Sequence, residues 1–120
     1  MGSLFTVYYY VSATGDNPIK SFLDSLSERQ QAKILRIFQF IETYGLQAII
    51  SHVRKLSGTP LWEIRILGKD NIRTIYALPT KNIVLIVHGF IKRKQKTPQK
   101  HIETALYRYK DWTERNKLDK

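Results

Sequence analysis

Cysteine is absent from the 120 residues. That excludes disulfides, thiolate nucleophiles and Cys-type zinc sites, and it suits a reducing compartment. No apolar run approaches the roughly 18 residues of a transmembrane helix. The first residues lead straight into a strand-like run, without the basic and then apolar regions of a signal peptide. The expectation is therefore a cytoplasmic protein with no membrane partner. Carboxylates are few, 10 Asp and Glu against 20 Lys and Arg, and they are scattered. Metal-dependent nucleases gather Asp and Glu around their ions, and no such cluster is visible in the sequence. A Gly-rich phosphate loop, a paired-His zinc motif and a dinucleotide fingerprint are also missing. No metal and no cofactor are expected.

What is present is positive charge, a formal +10. A small domain so charged attracts polyanions, although solubility alone is the competing explanation. The length suits one domain spanning 1–120. Hydrophobic residues make up 42% and recur periodically, so the chain folds.

Leu4–Val11 is rich in aromatic and β-branched residues and reads as a strand. Asn17 and Pro18 are suited to the N-cap and first position of a short helix with Phe22, Leu23 and Leu26 on its apolar side. Ser27 and Gln30 have capping-box spacing, and a second helix follows to about Tyr44. Its face is Ile34, Ile37, Phe38, Ile41 and Tyr44, and Gly45 is suited to its C-cap. Residues 46–60 read as a connection with some order. Three strands follow, Leu61–Leu67, Ile72–Leu78 and Ile83–Ile91, joined by turns at 68–71 and 79–82. Such short turns imply an antiparallel meander. The last of these strands is nearly all apolar, as a centrally buried strand should be. Thr97 and Pro98 are suited to open a final helix with Ile102, Ala105, Leu106, Tyr109 and Trp112 facing the sheet, and the tail from Glu114 is expected to fray. The predicted class is α+β: helices on a mostly antiparallel sheet, in the order β-α-α-β-β-β-α.

Cations occupy particular places in this pattern. Strand alternation puts Arg65 opposite the apolar residues Trp62, Ile64 and Ile66, alongside Glu63. Arg73 begins the next strand across the turn, and Lys92, Arg93, Lys94 and Lys96 follow the last one. Arg54 and Lys55 lie upstream. Neighbouring antiparallel strands can bring such groups onto one surface. RNA cleavage without a metal suits that surface, because the ribose 2′-OH supplies the nucleophile. Arginine's planar fork matches phosphate oxygens, and each well-placed donor to the transition state is worth about 3 kcal/mol. A His, or a Lys with a lowered pKa, can move protons. Structural explanations compete at each position. Arg65 can pair with Glu63, Arg73 can be a solvated strand end, and the lysine run can protect a sheet edge. His88 can be a core histidine, and His52 and His101 surface residues.

The stretches Val53-Arg54-Lys55-Leu56, Leu61-Trp62-Glu63-Ile64-Arg65-Ile66, Ile72-Arg73-Thr74-Ile75-Tyr76 and His88-Gly89-Phe90-Ile91-Lys92-Arg93-Lys94-Gln95-Lys96-Thr97-Pro98 resemble the phage-derived HigB branch of the RelE/ParE toxin superfamily. The likeness runs from about Val7 to Trp112. It implies a RelE-like (microbial RNase-like) sheet with an N-terminal helical hairpin. It also implies a type II toxin: a ribosome-dependent mRNA endonuclease, or mRNA interferase, that inhibits translation. The implied partners are the ribosome, mRNA and a HigA-like helix-turn-helix antitoxin, with operator DNA bound only through the antitoxin complex. By position the catalytic roles fall to Arg65 and Arg73, with Lys92, Lys94 and Lys96 as further basic groups and His88 as an alternative proton shuttle. Arg54, Lys55, Arg93 and Lys100 are the candidate RNA- or ribosome-binding cations. The chain departs from the RelE pattern in carrying Glu63 at a usually basic position and no Tyr after the last strand. The general base stays open. A ParE-like inhibitor of DNA gyrase, or a binding protein without activity, would share this fold.

Overall fold

A computed structural model describes residues 5–66, 68–93 and 96–116. Both N-terminal helices start where their caps place them. Asn17 accepts the Lys20 amide to open α1 (Pro18–Asp24), and Ser27 and Gln30 form a reciprocal capping box at the start of α2 (Glu28–Tyr44). Gly45, at φ 85°, ends α2 in the left-handed region that glycine enters without penalty.

The strands are β1 (Thr6–Tyr9), β2 (Val53–Lys55), β3 (Leu61–Arg65), β4 (Ile72–Thr80) and β5 (Ile83–Ile91), and α3 spans Gln99–Arg115. The five lie in one sheet in the order β1-β5-β4-β3-β2. The meander β3–β4–β5 is antiparallel, as the short turns require. The sheet as a whole is mixed, because β1 runs parallel to β5, with Thr6 beside Ile83 and Tyr9 beside Ile86. The other three pairs are antiparallel, as expected, and the parallel pair at β1 is the departure. A parallel neighbour needs a long connection; α1 and α2 carry the chain from β1 to β2 at the far edge of the sheet, and β3 and β4 bring it back to β5.

The expected element order also needs correction. The connection after α2 contains a 3-10 segment, Leu46–His52, and β2, which pairs antiparallel with β3. The final helix begins later than expected: Pro98 is its N-cap, with no side-chain capping bond. The helix includes Glu114, and residues 117–120 of the tail expected to fray lie outside the described residues. α3 runs to Arg115, whose guanidinium bonds Asp111 and the Val11 carbonyl.

Helices cover both faces of the sheet. Against α1 and α2 lie Ile64, Ile66, Ile72, Tyr76, Val84 and Ile86. Under α3 lie Leu61, Ile75, Ala77, Leu85, Val87 and Phe90. Each fully buried aliphatic side chain contributes about 1.5–3 kcal/mol, so β4 and β5 are the most firmly held strands. Gly89 lets α1 approach closely, since a Cβ there would lie 2.4 Å from Phe22 Cδ2.

Candidate active site

Register decides which charges meet. On β3, Leu61, Glu63 and Arg65 project to the α3 side. Glu63 pairs with Ile75 and Arg65 with Arg73 across β4, and Arg54 pairs with Glu63 across β2. Phe90 sits opposite Arg73, and Lys92, two residues on, falls on the same side. The Lys92 amide donates to the Asn71 carbonyl at 2.8 Å and so extends the ladder by one bond. Asn71 adopts φ 56° in the turn, a conformation that Asn tolerates better than most residues.

The result is a cleft of about 400 Å³ lined by His52, Val53, Arg54, Glu63, Arg65, Arg73 and Lys92. Four cations surround one carboxylate. Glu63 is 2% exposed. It accepts from Arg54 Nη2 at 3.3 Å and from the Thr97 hydroxyl, and it lies 3.8 Å from Arg73 Nε. Arg54 also reaches Thr97 Oγ1 at 3.3 Å. Arg73 donates from Nη1 to the Ile72 carbonyl. Its buried Nε makes no hydrogen bond among the described residues. Arg65 is exposed and makes no ion pair among them. In place of the competing Arg65–Glu63 pair, Glu63 contacts Arg54 and Arg73.

These neighbours shift the titrations. Burial pushes the Arg73 guanidinium below its ordinary value; Glu63 opposes the shift, and Arg65 and Arg54 add to it. Burial likewise lowers Lys92, again against Glu63, with Arg54, Arg73 and Arg65 lowering it further. Lys92 is thus a better proton donor than an ordinary lysine.

Other sequence-selected residues lie elsewhere. Lys55 sits on the opposite face, 5.3 Å above the Trp62 ring. Arg93, Lys96 and Lys100 are exposed and do not line the cleft. Lys94 falls outside the described residues. His88 does not line the cleft either. It packs under α3, where Val87 is the extra residue of a β-bulge. Arg108 donates to the Val87 carbonyl at 3.0 Å and to His88 Nδ1 at 3.1 Å. An arginine can only donate, so the His88 proton sits on Nε2 and points to His101 Nδ1 at 2.8 Å. Burial, with Arg108 and His101 adding to it, lowers His88 to about 4. Among the described residues no group of three His, Asp or Glu side chains converges as a metal site would.

Three residues at the cleft carry little signal in the sequence: Glu63 reads as a partner for Arg65, Thr97 as a helix cap and His52 as a surface residue. Only the strand alternation of Glu63 hinted at its place.

A model of the family described as phage derived protein Gp49-like (DUF891) matches residues 21–110. The chain belongs to that family. Gp49-like proteins are RelE-like and toxin-like, and the mixed five-stranded α+β fold is compatible with a RelE-like architecture. The matched segment of this Gp49-like chain contains every residue that lines the cleft. No curated protein sequence matches the chain significantly. None of its described helices is long and apolar enough to cross a membrane.

Proposed function

We propose that this Gp49-like protein is the toxin of a type II toxin–antitoxin pair, an mRNA interferase of the HigB-like type. It cuts mRNA on the ribosome in the cytoplasm, without a metal, and is neutralised by a helix-turn-helix antitoxin that carries the complex to operator DNA. The observation that carries the reading is the convergence of Arg54, Arg65, Arg73 and Lys92 on one cleft around one carboxylate. A phosphate entering the cleft meets the exposed Arg65 guanidinium, with the Arg73 guanidinium behind it beside Glu63. The ribose 2′-oxygen bonds to phosphorus as the 5′-oxygen leaves, the 2′-hydroxyl proton passes to solvent water, and the two arginines stabilise charge on the phosphorane oxygens. Lys92 gives its proton to the departing oxygen. Glu63 positions Arg54 and Arg73 rather than attacking. Lys96, Lys100, Arg93 and Lys55 lie outside this first contact and serve the wider RNA or ribosome surface. His88 acts through α3 and not on substrate.

Primer extension on mRNA from cells induced to express the chain tests the reading. Discrete cuts that disappear when translation is blocked are expected. Intact mRNA with DNA damage would point instead to a ParE-like gyrase inhibitor, and arrest without either to a binding protein.

A further inference from the structure

Three side chains under α3 form a directed chain of hydrogen bonds. Arg108 Nη1 donates to His88 Nδ1 at 3.1 Å, and His88 Nε2 faces His101 Nδ1 at 2.8 Å. The arginine cannot accept, so its contact sets the tautomer of both rings. His88 donates from Nε2, His101 accepts at Nδ1, and a neutral His101 carries its one proton on Nε2. A doubly protonated His101 would set one N–H against another. Burial, and then Lys100, lower the His101 pKa and favour the same neutral form. The Nε2–H of His101 meets no acceptor among the described residues, and its nitrogen is open to solvent. The ring itself is held in place, stacked on Phe90 with centroids 4.1 Å apart and planes at 15°. Phe90 stands directly across from Arg73 of the cleft. Thr97, one turn before His101, bonds Glu63 in the same cleft. His101 therefore flanks the cleft on its α3 side.

We infer that His101 is a specificity residue: its Nε2–H donates to an acceptor on the nucleobase that adjoins the scissile phosphate, and Arg108 and His88 position it. That contact presupposes the function proposed above. Chemistry selects a base over a phosphate. Phosphates are matched by the cations of the cleft and by the exposed Lys100 beside His101. A neutral, directional donor on a braced flat ring is suited instead to the base edges of single-stranded RNA, which lie splayed and open to hydrogen bonding. A donor held in one tautomer accepts a base that presents a carbonyl or ring nitrogen at that point and rejects one that presents an amino group. Were the ring free to exchange tautomers, Nε2 could serve as donor or acceptor and the choice would be lost. Arg108 and His88 remove that freedom without touching RNA.

Cut sites are mapped across the transcripts of cells expressing the full chain, by sequencing RNA 5′ ends. Wild-type cuts should favour particular bases at one position beside the cut. His101→Phe keeps a ring stacked on Phe90 and removes the donor. It should leave the chain cutting and reduce that bias about fivefold. His101→Gln, whose amide nitrogen reaches the place of Nε2, should restore most of it. An unchanged bias with His101→Phe, or no recovery with His101→Gln, would overturn the contact. Thermal melts check that each variant folds, and loss of all cutting in a folded His101→Phe variant would overturn a role confined to specificity. Imidazole nitrogen NMR of the purified wild-type protein reads the tautomers directly. Both histidines should carry their proton on Nε2 at neutral pH, and a proton on His101 Nδ1 would overturn the positioning by Arg108 and His88. If the wild-type chain leaves mRNA intact, the proposed function falls and takes the base contact with it, while NMR still judges the relay; wild-type cutting with an unaltered bias in His101→Phe sinks the base contact alone.

Discussion

Replacing Glu63 with Gln removes one negative charge from a place where four positive groups meet. Its two arginine contacts differ in weight. Arg54 is more than half exposed, 57%, so its ion pair contributes about 0–1 kcal/mol. Arg73 is 11% exposed and Glu63 2%, and removing one partner of so buried a pair costs about 3–5 kcal/mol. The substitution keeps the side-chain shape, so the loss is charge and not volume. A net destabilisation of about 3 kcal/mol is expected, which for a domain of this size lowers Tm by roughly 10 °C. A double-mutant cycle with Arg73→Gln, read by urea unfolding, isolates the pair. Glu63→Gln in the Arg73→Gln background should cost at least about 2 kcal/mol less than in the wild type. Additive effects in that cycle, or a Glu63→Gln variant as stable as the wild type, would show that Glu63 does not hold the cations and would refute its positioning role.

Three other outcomes follow from the same geometry. Arg65→Ala should leave the urea midpoint unchanged, cut mRNA cleavage about 10²–10³-fold, and reduce the salt slope of single-stranded RNA binding by about 0.7; undiminished cleavage would remove Arg65 from the site. His88 is held neutral in the fold, with its pKa lowered to about 4. Stability from this group is therefore present above the unfolded value near 6.5 and is lost as pH falls from there toward 4, by up to roughly 3 kcal/mol; urea midpoints across that range should decline, and His88→Gln should flatten the decline. Gly89→Ala places a methyl group against the Phe22 ring and should destabilise the fold by about 1–3 kcal/mol. A companion Phe22→Leu substitution should recover part of that loss, and no recovery would mean the strain lies elsewhere.

The helices were legible because their signals are local. Asn17, Ser27, Gln30 and Gly45 act within a few residues of themselves, and each caps where its type predicts. The direction of β1 was not legible. Short turns settle pairing only for strands they join, and β1 reaches β5 only through the helices and the strands β2, β3 and β4. β2 has three residues, too few for alternation to be visible. The shared surface of Arg65 and Arg73 followed from strand period and one turn. The partner of Glu63 did not. Residues two apart on a strand are about 6.6 Å apart along it, whereas direct cross-strand neighbours stand about 4.5–5.5 Å apart, so Glu63 turns to Arg54, its neighbour across β2, and Arg73 reaches it diagonally with a long side chain. Thr97 has the chemistry of a cap, but its hydroxyl is drawn to the buried carboxylate, and α3 begins without side-chain help.

The parallel pairing of β1 with β5 bears on synthesis. The first strand finds its neighbour only after the segment from Ile83 to Ile86 has left the ribosome, and contacts so distant in sequence form late. Lys92 and Thr97 emerge later still. A growing chain therefore completes the cleft, with Lys92 and Thr97 in place, only near the end of its own synthesis.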